Sequence, residues 1–464
     1  MSINPCFFPT TLPPKQLANL NALGYSSMTP IQAATLPAIL KGKDVRAQAK
    51  TGSGKTAAFG IGLLDKIAVE QFVTQALILC PTRELADQIS KELRRLARFT
   101  QNIKILTLCG GQSMGCQLDS LVHAPHVVVG TPGRIQEHLR KHTLVLTNLK
   151  VLVLDEADRM LDMGFNDSID NIIDYAPKTR QTLLFSATYP DSIEQISNRI
   201  QHQPLSVVVS PQKNETAIEQ LFYESTNEKR LPLLIKILKH YQPDSCLVFC
   251  NTKLDCQRLY QALKSCQMSV LALHGDLDQH ERDQVWVRFA NHSCRILVAT
   301  DVAARGLDIK QLALVVNFEV AFDPEVYIHR IGRTGRAGIG GCAVTLCTPQ
   351  EMHRAHAIED YLQTKLTWLS PEKINDTDGI NNSEKLAAEM MTLCIDGGRK
   401  AKIRPGDILG ALTGEAGLAA ADIGKIDTFT LHTYVAIRTN NAQHALQQLQ
   451  QGKIKGKNYK VRLL

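Results

Sequence analysis

The chain has 464 residues, of which 44% are hydrophobic, and a net charge of +7 at neutral pH. This length accommodates about three domains of ordinary size. No apolar run approaches the roughly 20 residues of a membrane span, and the first residues lack the pattern of a secretory signal, so we expect a cytoplasmic protein with no membrane contact. The 12 cysteines are scattered without a C-x-x-C pair, which argues against zinc ribbons and favours buried thiols in a reducing compartment.

The positive charge is concentrated in the C-terminal part of the chain. Residues 385–464 contain 12 Lys and Arg and 6 Asp and Glu, which gives +6 and leaves only +1 for the preceding 384 residues. An asymmetry of this kind predicts an appended module that binds a polyanion.

The first predicted domain covers residues 1–209 and alternates helical patterns with short apolar strands. Its strands are predicted at residues 76–80, 103–108, 127–129, 151–154 and 182–185. Near-continuous apolar strands separated by helices indicate a parallel sheet that is covered on both faces. The fold class is therefore α/β.

Two segments of this domain predict a nucleotide site. Residues 49–56, AKTGSGKT, form a phosphate loop whose N–H groups, lysine and threonine suit the phosphates and Mg²⁺ of a nucleoside triphosphate. The strand at residues 151–154 ends in the acidic tetrad Asp155-Glu156-Ala157-Asp158. The carboxyl end of such a strand is where an open α/β sheet binds its ligand. Together the two segments predict hydrolysis of a nucleoside triphosphate.

A second α/β series occupies residues 217–369, with strands predicted at 246–250, 270–273, 295–299 and 313–316. It contains an arginine repeat in which Arg333 and Arg336 stand three apart between glycines. Packing does not explain clustered arginines in a glycine-rich turn. Guanidinium groups that stabilise charge on a γ-phosphate, known as arginine fingers, explain them. A solvated basic loop is the alternative.

The last part of the chain has a different pattern. Residues 370–384 are rich in Asn, Asp and Pro and are interpreted as a linker. Residues 385–464 show a β-α-β-β-α-β order, with strands predicted at 393–396, 423–430, 433–437 and 460–463 and helices near 405–411 and 442–450. This order predicts a ferredoxin-like α+β domain, the arrangement that RNA-recognition folds share.

Taken together, these motifs resemble the DEAD-box family of ATP-dependent RNA helicases over roughly residues 7–365. The resemblance implies two RecA-like domains in tandem, here followed by an RRM-like domain, and an enzyme that hydrolyses ATP when RNA is bound. ATP and Mg²⁺ are the cofactors that the resemblance implies. In the segment TPIQ, Gln32 would read the adenine edge, and Phe7 would stack on the adenine ring.

The resemblance assigns roles around the phosphates. Lys55 would hold the β- and γ-phosphates, and Thr56 with Asp155 would form the metal site for Mg²⁺. Glu156 would orient the attacking water as general base. The catalytic candidates are Lys55, Asp155, Glu156, Arg333, Arg336, Ser186 and Thr188.

Further roles concern the sugar and the coupling of hydrolysis to unwinding. Asp308 would contact the ribose. Ser186 and Thr188 would couple ATP hydrolysis to strand separation, although a helix N-cap also explains them. The cofactor-binding candidates are Phe7, Gln32, Ala49, Lys50, Thr51, Gly52, Ser53, Gly54, Lys55, Thr56 and Asp308.

A further set of motifs lies at strand ends and implies a track for the RNA backbone, bound without reading its sequence. The core candidates are Pro81, Thr82, Arg83, Gly111, Thr131, Pro132, Arg134, Asn251, Thr300, Arg305 and Gly306. In the C-terminal domain the candidates are Arg399, Lys400, Lys453, Lys455 and Lys457. This domain lacks the paired aromatics of the RNP1 signature, so we favour its basic loops for RNA contact. Arg399, Lys400 and Tyr434 are candidates for reading bases.

The segments CIDGG at 394–398 and GKIKGK at 452–457 resemble the tail of those DEAD-box helicases that recognise a hairpin of 23S ribosomal RNA. The resemblance implies a role in 50S ribosomal subunit assembly, with the precursor large subunit as partner and no protein partner required. The alternative is a general DEAD-box RNA helicase or RNA clamp with a different structured RNA target. The basic tail could also be a solvated surface on a dimerisation or ribosome-docking module.

Two rival classes are less favoured. A double-stranded DNA translocase on the same scaffold is disfavoured by Gln32 and by the acidic tetrad. A non-enzymatic clamp that only locks RNA in place is disfavoured by Glu156, Arg333 and Arg336, which together predict turnover.

Overall fold

The structure is a computed structural model that describes residues 12–49, 52–189, 191–209, 218–304, 312–335, 340–374, 387–415 and 417–464. The chain divides into two compact units, Met1–Gln212 and Lys213–Leu464. Within the described ranges, no helix has the length and apolar character needed to cross a membrane.

The first unit contains a seven-stranded sheet with the order β3-β4-β2-β5-β6-β1-β7, in which every pairing is parallel. Its strands are β1 (Val45–Gln48), β2 (Ala76–Leu79), β3 (Ile105–Leu108), β4 (Val127–Gly130), β5 (Val151–Asp155), β6 (Gln181–Ser186) and β7 (Leu205–Val208). Its helices are α1 (Pro14–Ala22), α2 (Pro30–Leu40), α3 (Lys55–Asp65), α4 (Arg83–Leu96), α5 (Met114–Leu121), α6 (Pro132–Arg140), α7 (Ala157–Asp162), α8 (Asn166–Asp174) and α9 (Asp191–Ile200).

The central strands of this sheet are apolar at every position because both faces are buried. Along β2, Ala76 and Ile78 join the hydrophobic core on one face, whereas Leu77 and Leu79 join the core on the other. Side chains alternate between faces along a strand, so a strand covered on both sides needs an uninterrupted apolar run. The two layers of helices follow from this composition.

The second unit contains another seven-stranded parallel sheet, with the order β10-β11-β9-β12-β13-β8-β14. Its strands are β8 (Ile218–Glu224), β9 (Cys246–Cys250), β10 (Val270–Leu273), β11 (Ile296–Thr300), β12 (Leu314–Asn317), β13 (Gly341–Cys347) and β14 (Thr367–Leu369). Its helices are α10 (Asn227–Tyr241), α11 (Lys253–Ser265), α12 (Gln279–Ala290), α13 (Asp301–Ala304), α14 (Pro324–Ile331) and α15 (Met352–Leu362). Val248 of β9 packs into the core on one face, and its neighbours Leu247 and Phe249 pack on the other.

The same unit ends in a smaller antiparallel sheet with the order β16-β17-β15-β18. The strands are β15 (Met390–Ile395), β16 (Ile423–Thr428), β17 (Thr433–Arg438) and β18 (Val461–Leu463), and the helices are α16 (Pro405–Gly410) and α17 (Thr439–Gln451). Leu393, Ile395, Val435 and Ile437 point to one face and pack with Ala445 and Leu449 of α17. The first and third strands of the domain are central in the sheet, which is the ferredoxin-like arrangement.

The predicted fold class is confirmed: two parallel α/β sheets in tandem and a ferredoxin-like C-terminal domain. Five strands of the two parallel sheets are not predicted from the sequence: β1, β7, β8, β13 and β14. Strand β1 reads VRAQ and β8 reads IEQLFYE, so polar residues interrupt the apolar run by which the other strands were predicted. Strand β14 has only three residues and gives little periodicity to detect.

Candidate nucleotide and RNA sites

The phosphate loop joins the end of β1 to the beginning of α3. Gly54 has a φ of 96°, and a Cβ there would lie 2.6 Å from Nε2 of Gln32. Glycine is therefore required by both the left-handed backbone and the close approach. The N-terminus of α3 presents N–H groups that favour an anion. Lys55 is 5% exposed, and its Nζ donates a hydrogen bond to the carbonyl of Ala49 at 2.9 Å.

Gln32 is held against this loop. Its Oε1 accepts a hydrogen bond from the N–H of Thr29 at 2.9 Å, and its Nε2 donates to the carbonyl of Gly54 at 3.2 Å. The first contact is half of a capping box that starts α2. The predicted adenine-reading residue is thus connected directly to the phosphate loop. The candidates Phe7, Lys50 and Thr51 lie outside the described residues.

The acidic tetrad follows β5, two strands away from β1 in the sheet. Asp155 is 3% exposed, and burial raises the pKa of its carboxyl to about 6, although Lys55 opposes the rise. Its Oδ1 accepts a hydrogen bond from the N–H of Glu156 at 3.0 Å. Glu156 has a φ of 52°, which a non-glycine residue rarely adopts and which often marks functional sites.

The last tetrad residue contacts the strand that lies between β5 and β1. Oδ2 of Asp158 accepts hydrogen bonds from the N–H of Ala187 at 3.2 Å and from both N–H and Oγ1 of Thr188 at 3.0 Å. The N–H of Asp158 donates to Oγ of Ser186 at 3.4 Å. The tetrad and the segment predicted to couple hydrolysis to unwinding therefore form one network. The sequence analysis gave Asp158 no role, although its place in the tetrad next to β6 was the available signal.

The RNA-track candidates of the first unit lie on the other half of the same sheet, after β2, β3 and β4. Thr82 accepts a hydrogen bond from the N–H of Leu85 as the N-cap of α4, and Thr131 precedes α6. Arg134 Nη1 donates to the carbonyl of Gln112 at 3.1 Å and to Oε1 of Gln117 at 2.9 Å. Those candidates are Pro81, Thr82, Arg83, Gly111, Thr131, Pro132 and Arg134. The residues predicted to bind phosphate and metal thus lie at the ends of β5, β6 and β1, which we call the nucleotide half of the sheet, and the RNA-track candidates lie after β3, β4 and β2.

In the second unit, Asn251 and Thr300 stand at the ends of neighbouring strands β9 and β11. Arg330, to which the sequence reasoning assigned no role, is 1% exposed and joins Asn251 to Asp301, the residue after Thr300. Its guanidinium donates to both carboxylate oxygens of Asp301 at 2.7 Å and to Oδ1 of Asn251 at 2.6 Å. Arg330 is therefore a positioning residue, unlike the neighbouring Arg333, which is only partly buried. The candidates Arg305, Gly306, Asp308 and Arg336 lie outside the described residues.

The two basic segments of the C-terminal domain, residues 399–404 and 453–457, come together. Nζ of Lys455 donates a hydrogen bond to the carbonyl of Lys402 at 3.0 Å, so the loop before β18 lies against the loop after β15. Ile454 is 1% exposed and anchors the second loop in the core, while the lysines on either side are exposed. The exposed candidates are Arg399, Lys400, Lys453, Lys455 and Lys457.

The sheet face of the C-terminal domain has a different environment. Tyr434 and Cys394 pack against Val287 of α12, and all three are at most 2% exposed. Oγ of Ser293 and Oγ1 of Thr392 are 2.7 Å apart at the margin of this contact. This is the face on which RNA-recognition folds stack bases. Because α12 covers Tyr434, a base can reach that ring only if the domain separates from α12.

A phosphate loop and a carboxylate-ended strand on a parallel sheet, followed by a second parallel sheet with an arginine repeat, define a nucleotide-hydrolysing motor of the helicase class. The family models agree with this class. Residues 29–196 match the DEAD/DEAH box helicase model, residues 229–338 match the helicase conserved C-terminal domain, and residues 392–463 match the DbpA RNA binding domain.

The chain is 62% identical over 454 residues to the ATP-dependent RNA helicase DbpA of Escherichia coli strain K12, covering 98% of both chains. It is 38% identical over 462 residues to DbpA of Bacillus subtilis strain 168, covering 96% of both. Its structure is similar to that of Saccharomyces cerevisiae Dbp5 bound to RNA and ADP BeF3, with a TM-score of 0.71 and 32% identity over 78% of this chain and 95% of that one. The protein belongs to the DEAD-box family and is an ATP-dependent RNA helicase.

Proposed function

We propose that this helicase locally unwinds duplexes of 23S ribosomal RNA during 50S subunit assembly, and that its C-terminal domain directs it there. One observation supports this most strongly. The two basic segments meet where Lys455 donates a hydrogen bond to the carbonyl of Lys402, and they form one exposed basic surface. The sequence around both segments resembles the tail of helicases that bind 23S ribosomal RNA. Such a surface binds phosphates, while neighbouring side chains read bases.

The domain division that we propose assigns residues 1–209 and 217–369 to two RecA-like domains, 370–384 to a linker and 385–464 to the RRM-like domain. We place the protein in the cytoplasm with the precursor large subunit as its partner. It needs no protein partner in this proposal, because ATP site, RNA track and targeting domain are all on one chain.

At the nucleotide site, Lys55 at the beginning of α3 neutralises the β- and γ-phosphates, and Gln32 fixes the adenine. The oxygen ligands Thr56 and Asp155 suit Mg²⁺, since a hard cation prefers oxygen and offsets the cost of the buried Asp155 carboxylate. When bound, Mg²⁺ supplies charge neutralisation across the phosphates. Glu156 orients the water, and Arg333 and Arg336 stabilise the charge that develops on the transferred phosphoryl group.

The hydrogen bonds of Asp158 connect the nucleotide site to the segment after β6, which contains Thr188. A change at the tetrad alters three hydrogen bonds to the segment after β6. We propose that this segment transmits the state of the nucleotide to the RNA track. Glu156→Gln should keep ATP and RNA binding but stop hydrolysis, which phosphate-release and filter-binding assays can separate.

The targeting proposal is tested by RNA-stimulated ATPase activity with a 23S rRNA hairpin and with a scrambled RNA of the same length. Deleting residues 385–464 should remove the preference for the hairpin and leave activity with scrambled RNA. Replacing Lys453, Lys455 and Lys457 together by Ala should weaken binding of the hairpin and flatten its salt dependence. The matched control replaces three exposed lysines on α10 and α11, Lys229, Lys239 and Lys264. If the deletion variant still prefers the hairpin, recognition resides in the helicase core; if wild type shows no preference, the RNA target is a different one.

A further inference from the structure

An aromatic ring is exposed at the carboxyl edge of the second α/β sheet. Phe322 lies between β12 and α14 and is 66% exposed, although Val320 and Ala321 just before it are at most 1% exposed. The chain therefore turns this single large apolar side chain outward from an otherwise buried segment. Exposing a phenylalanine forgoes the free energy that its burial would contribute, and it leaves the ring accessible to a ligand.

The ring is held by a guanidinium. Arg354 of α15 lies over Phe322 with its Cζ 4.3 Å from the ring centroid, closer than in any other cation–π pair among the described residues. Arg354 covers one face, and with two-thirds of the residue exposed the other face is open to solvent. Nη1 of Arg354 also donates to the carbonyl of Val320 at 3.4 Å, which fixes the pair on the segment that carries it.

The same carbonyl connects this pair to the proposed RNA track. Nδ2 of Asn251 donates to Val320 O at 3.0 Å, and the N–H of Asn251 donates to Oε2 of Glu319 at 2.8 Å. Strands β9 and β12 are neighbours, so Asn251 and Phe322 follow adjacent strands at one edge of the sheet. Phe322 therefore stands at the same edge of the sheet as Asn251, within reach of an RNA strand that follows this edge.

The surroundings identify the part of the RNA that fits. Asp323 follows Phe322 directly, and its carboxylate caps α14. A phosphate next to this carboxylate would be repelled, whereas a nucleobase is an uncharged aromatic ring that stacks on phenylalanine and is attracted by an adjacent guanidinium. We infer that Phe322, backed by Arg354, is a stacking site for one base of single-stranded RNA as it leaves the track. This inference rests on the proposed role of Asn251 in RNA binding.

The experiment uses the full chain with a non-hydrolysable ATP analogue and single-stranded RNAs that carry 2-aminopurine at successive positions. In wild type, one position should show quenched fluorescence from stacking. Phe322→Ala should lose that quenching and weaken RNA binding by about tenfold or more, while Phe322→Trp should keep both. Arg354→Ala should have a smaller effect in the same direction.

Phe72→Ala is the matched control, because Phe72 is also 66% exposed but belongs to the first unit. An exposed side chain contributes little to folding, so Phe322→Ala should melt like wild type. Unchanged affinity and quenching in Phe322→Ala would overturn the inference, as would a Phe322→Ala variant that binds RNA normally but loses a protein ligand. The proposed RNA track has its own test. If RNA stimulates ATP hydrolysis in wild type but Asn251→Ala does not change RNA binding, the role of Asn251 in the track is wrong, and this outcome is distinct from a failure of the stacking site at Phe322.

Discussion

In the first unit the candidate residues stand at the ends of parallel strands, whereas in the C-terminal domain they stand on two loops. Lys55 and Asp155 are nearly buried and each makes a hydrogen bond of ordinary length to a neighbouring backbone group. Lys453 and Lys457 are exposed on their loop. Catalysis requires precisely positioned atoms, and residues at the ends of strands are held in place by the sheet. Binding of a polyanion requires only a local excess of positive charge, which exposed lysines on loops can provide.

This difference predicts two kinds of response to substitution. A residue of the nucleotide site acts as part of a unit, so removing it should cause an almost complete loss of turnover. A residue of the basic loops acts through summed charge, so removing it should weaken binding in steps.

The largest effect is expected at the arginine repeat. Arg336→Ala and Arg333→Ala should each reduce RNA-stimulated ATP turnover by a factor on the order of 10³, the lower range for arginine fingers. Steady-state phosphate release measures turnover. A variant with near-normal turnover would remove that arginine from the catalytic role.

Arg330→Ala is the informative control for this prediction. It removes the bidentate partner of half-buried Asp301 and the donor to Oδ1 of Asn251, and losing hydrogen bonds to a charged group destabilises the folded state. We therefore expect it to lower the melting temperature as well as turnover. A stable, inactive Arg330→Ala protein would contradict the positioning role.

The second effect concerns the covered face of the C-terminal sheet. Tyr434→Ala removes a buried aromatic ring that packs on Val287, so it should lower the free energy of unfolding by about 3 kcal/mol. Tyr434→Phe keeps the ring and should lose far less. Both variants should bind the RNA hairpin like wild type at a temperature where they are folded. Relaxed RNA choice with unchanged stability in Tyr434→Ala would show that this face reads bases.

Tyr434 also illustrates where prediction from the sequence stops. The period-two pattern of β17 places Tyr434 on the opposite face from Val435, but no local pattern indicates that α12, more than a hundred residues earlier, covers that face. Such contacts depend on tertiary packing. Likewise, no sequence pattern distinguishes Arg330 from Arg333 and Arg336, which follow it. Only the fold shows that the Arg330 side chain is buried.

The nucleotide half of the first sheet was predictable for a physical reason. The glycines of the phosphate loop and the apolar run before Asp155 are local consequences of what phosphate binding and a doubly covered strand require. The sequence does not state the strand order, which brings β1, β6 and β5 side by side. The contact of Asp158 with Thr188 depends on that order.

The third effect is a dependence of stability on pH. Burial raises the pKa of Asp155 from 3.8 to about 6. The folded protein thus binds this proton more tightly than the unfolded chain, and the group favours folding below pH 4. This contribution is lost as the pH rises through about 6, where the buried carboxylate ionises.

Asp155→Asn should therefore raise the free energy of unfolding of the nucleotide-free protein by about 3 kcal/mol at pH 8, while abolishing ATP hydrolysis. At pH 4 the two proteins should be equally stable. Asp174→Asn, at an exposed site on α8, should show no comparable gain. Denaturant titrations at both pH values measure the effect, and a gain at pH 4 that equals the gain at pH 8 would exclude ionisation as its cause.

The smallest effect distinguishes residues within the basic loop. Lys455 already donates to Lys402 O and lies 3.6 Å from a carboxylate oxygen of Asp407, so it has less charge to offer RNA than Lys453 and Lys457. Lys453→Ala and Lys457→Ala should each reduce the slope of log affinity against log salt by about 0.7–0.9, the value for one phosphate contact. Lys455→Ala should change the slope less and instead loosen the loop against residues 399–404. Titrations of the RNA hairpin at several salt concentrations measure the three slopes. Equal slopes for all three variants would mean that the contact with Lys402 gives way when RNA binds, and that the surface is a flexible cluster of charge.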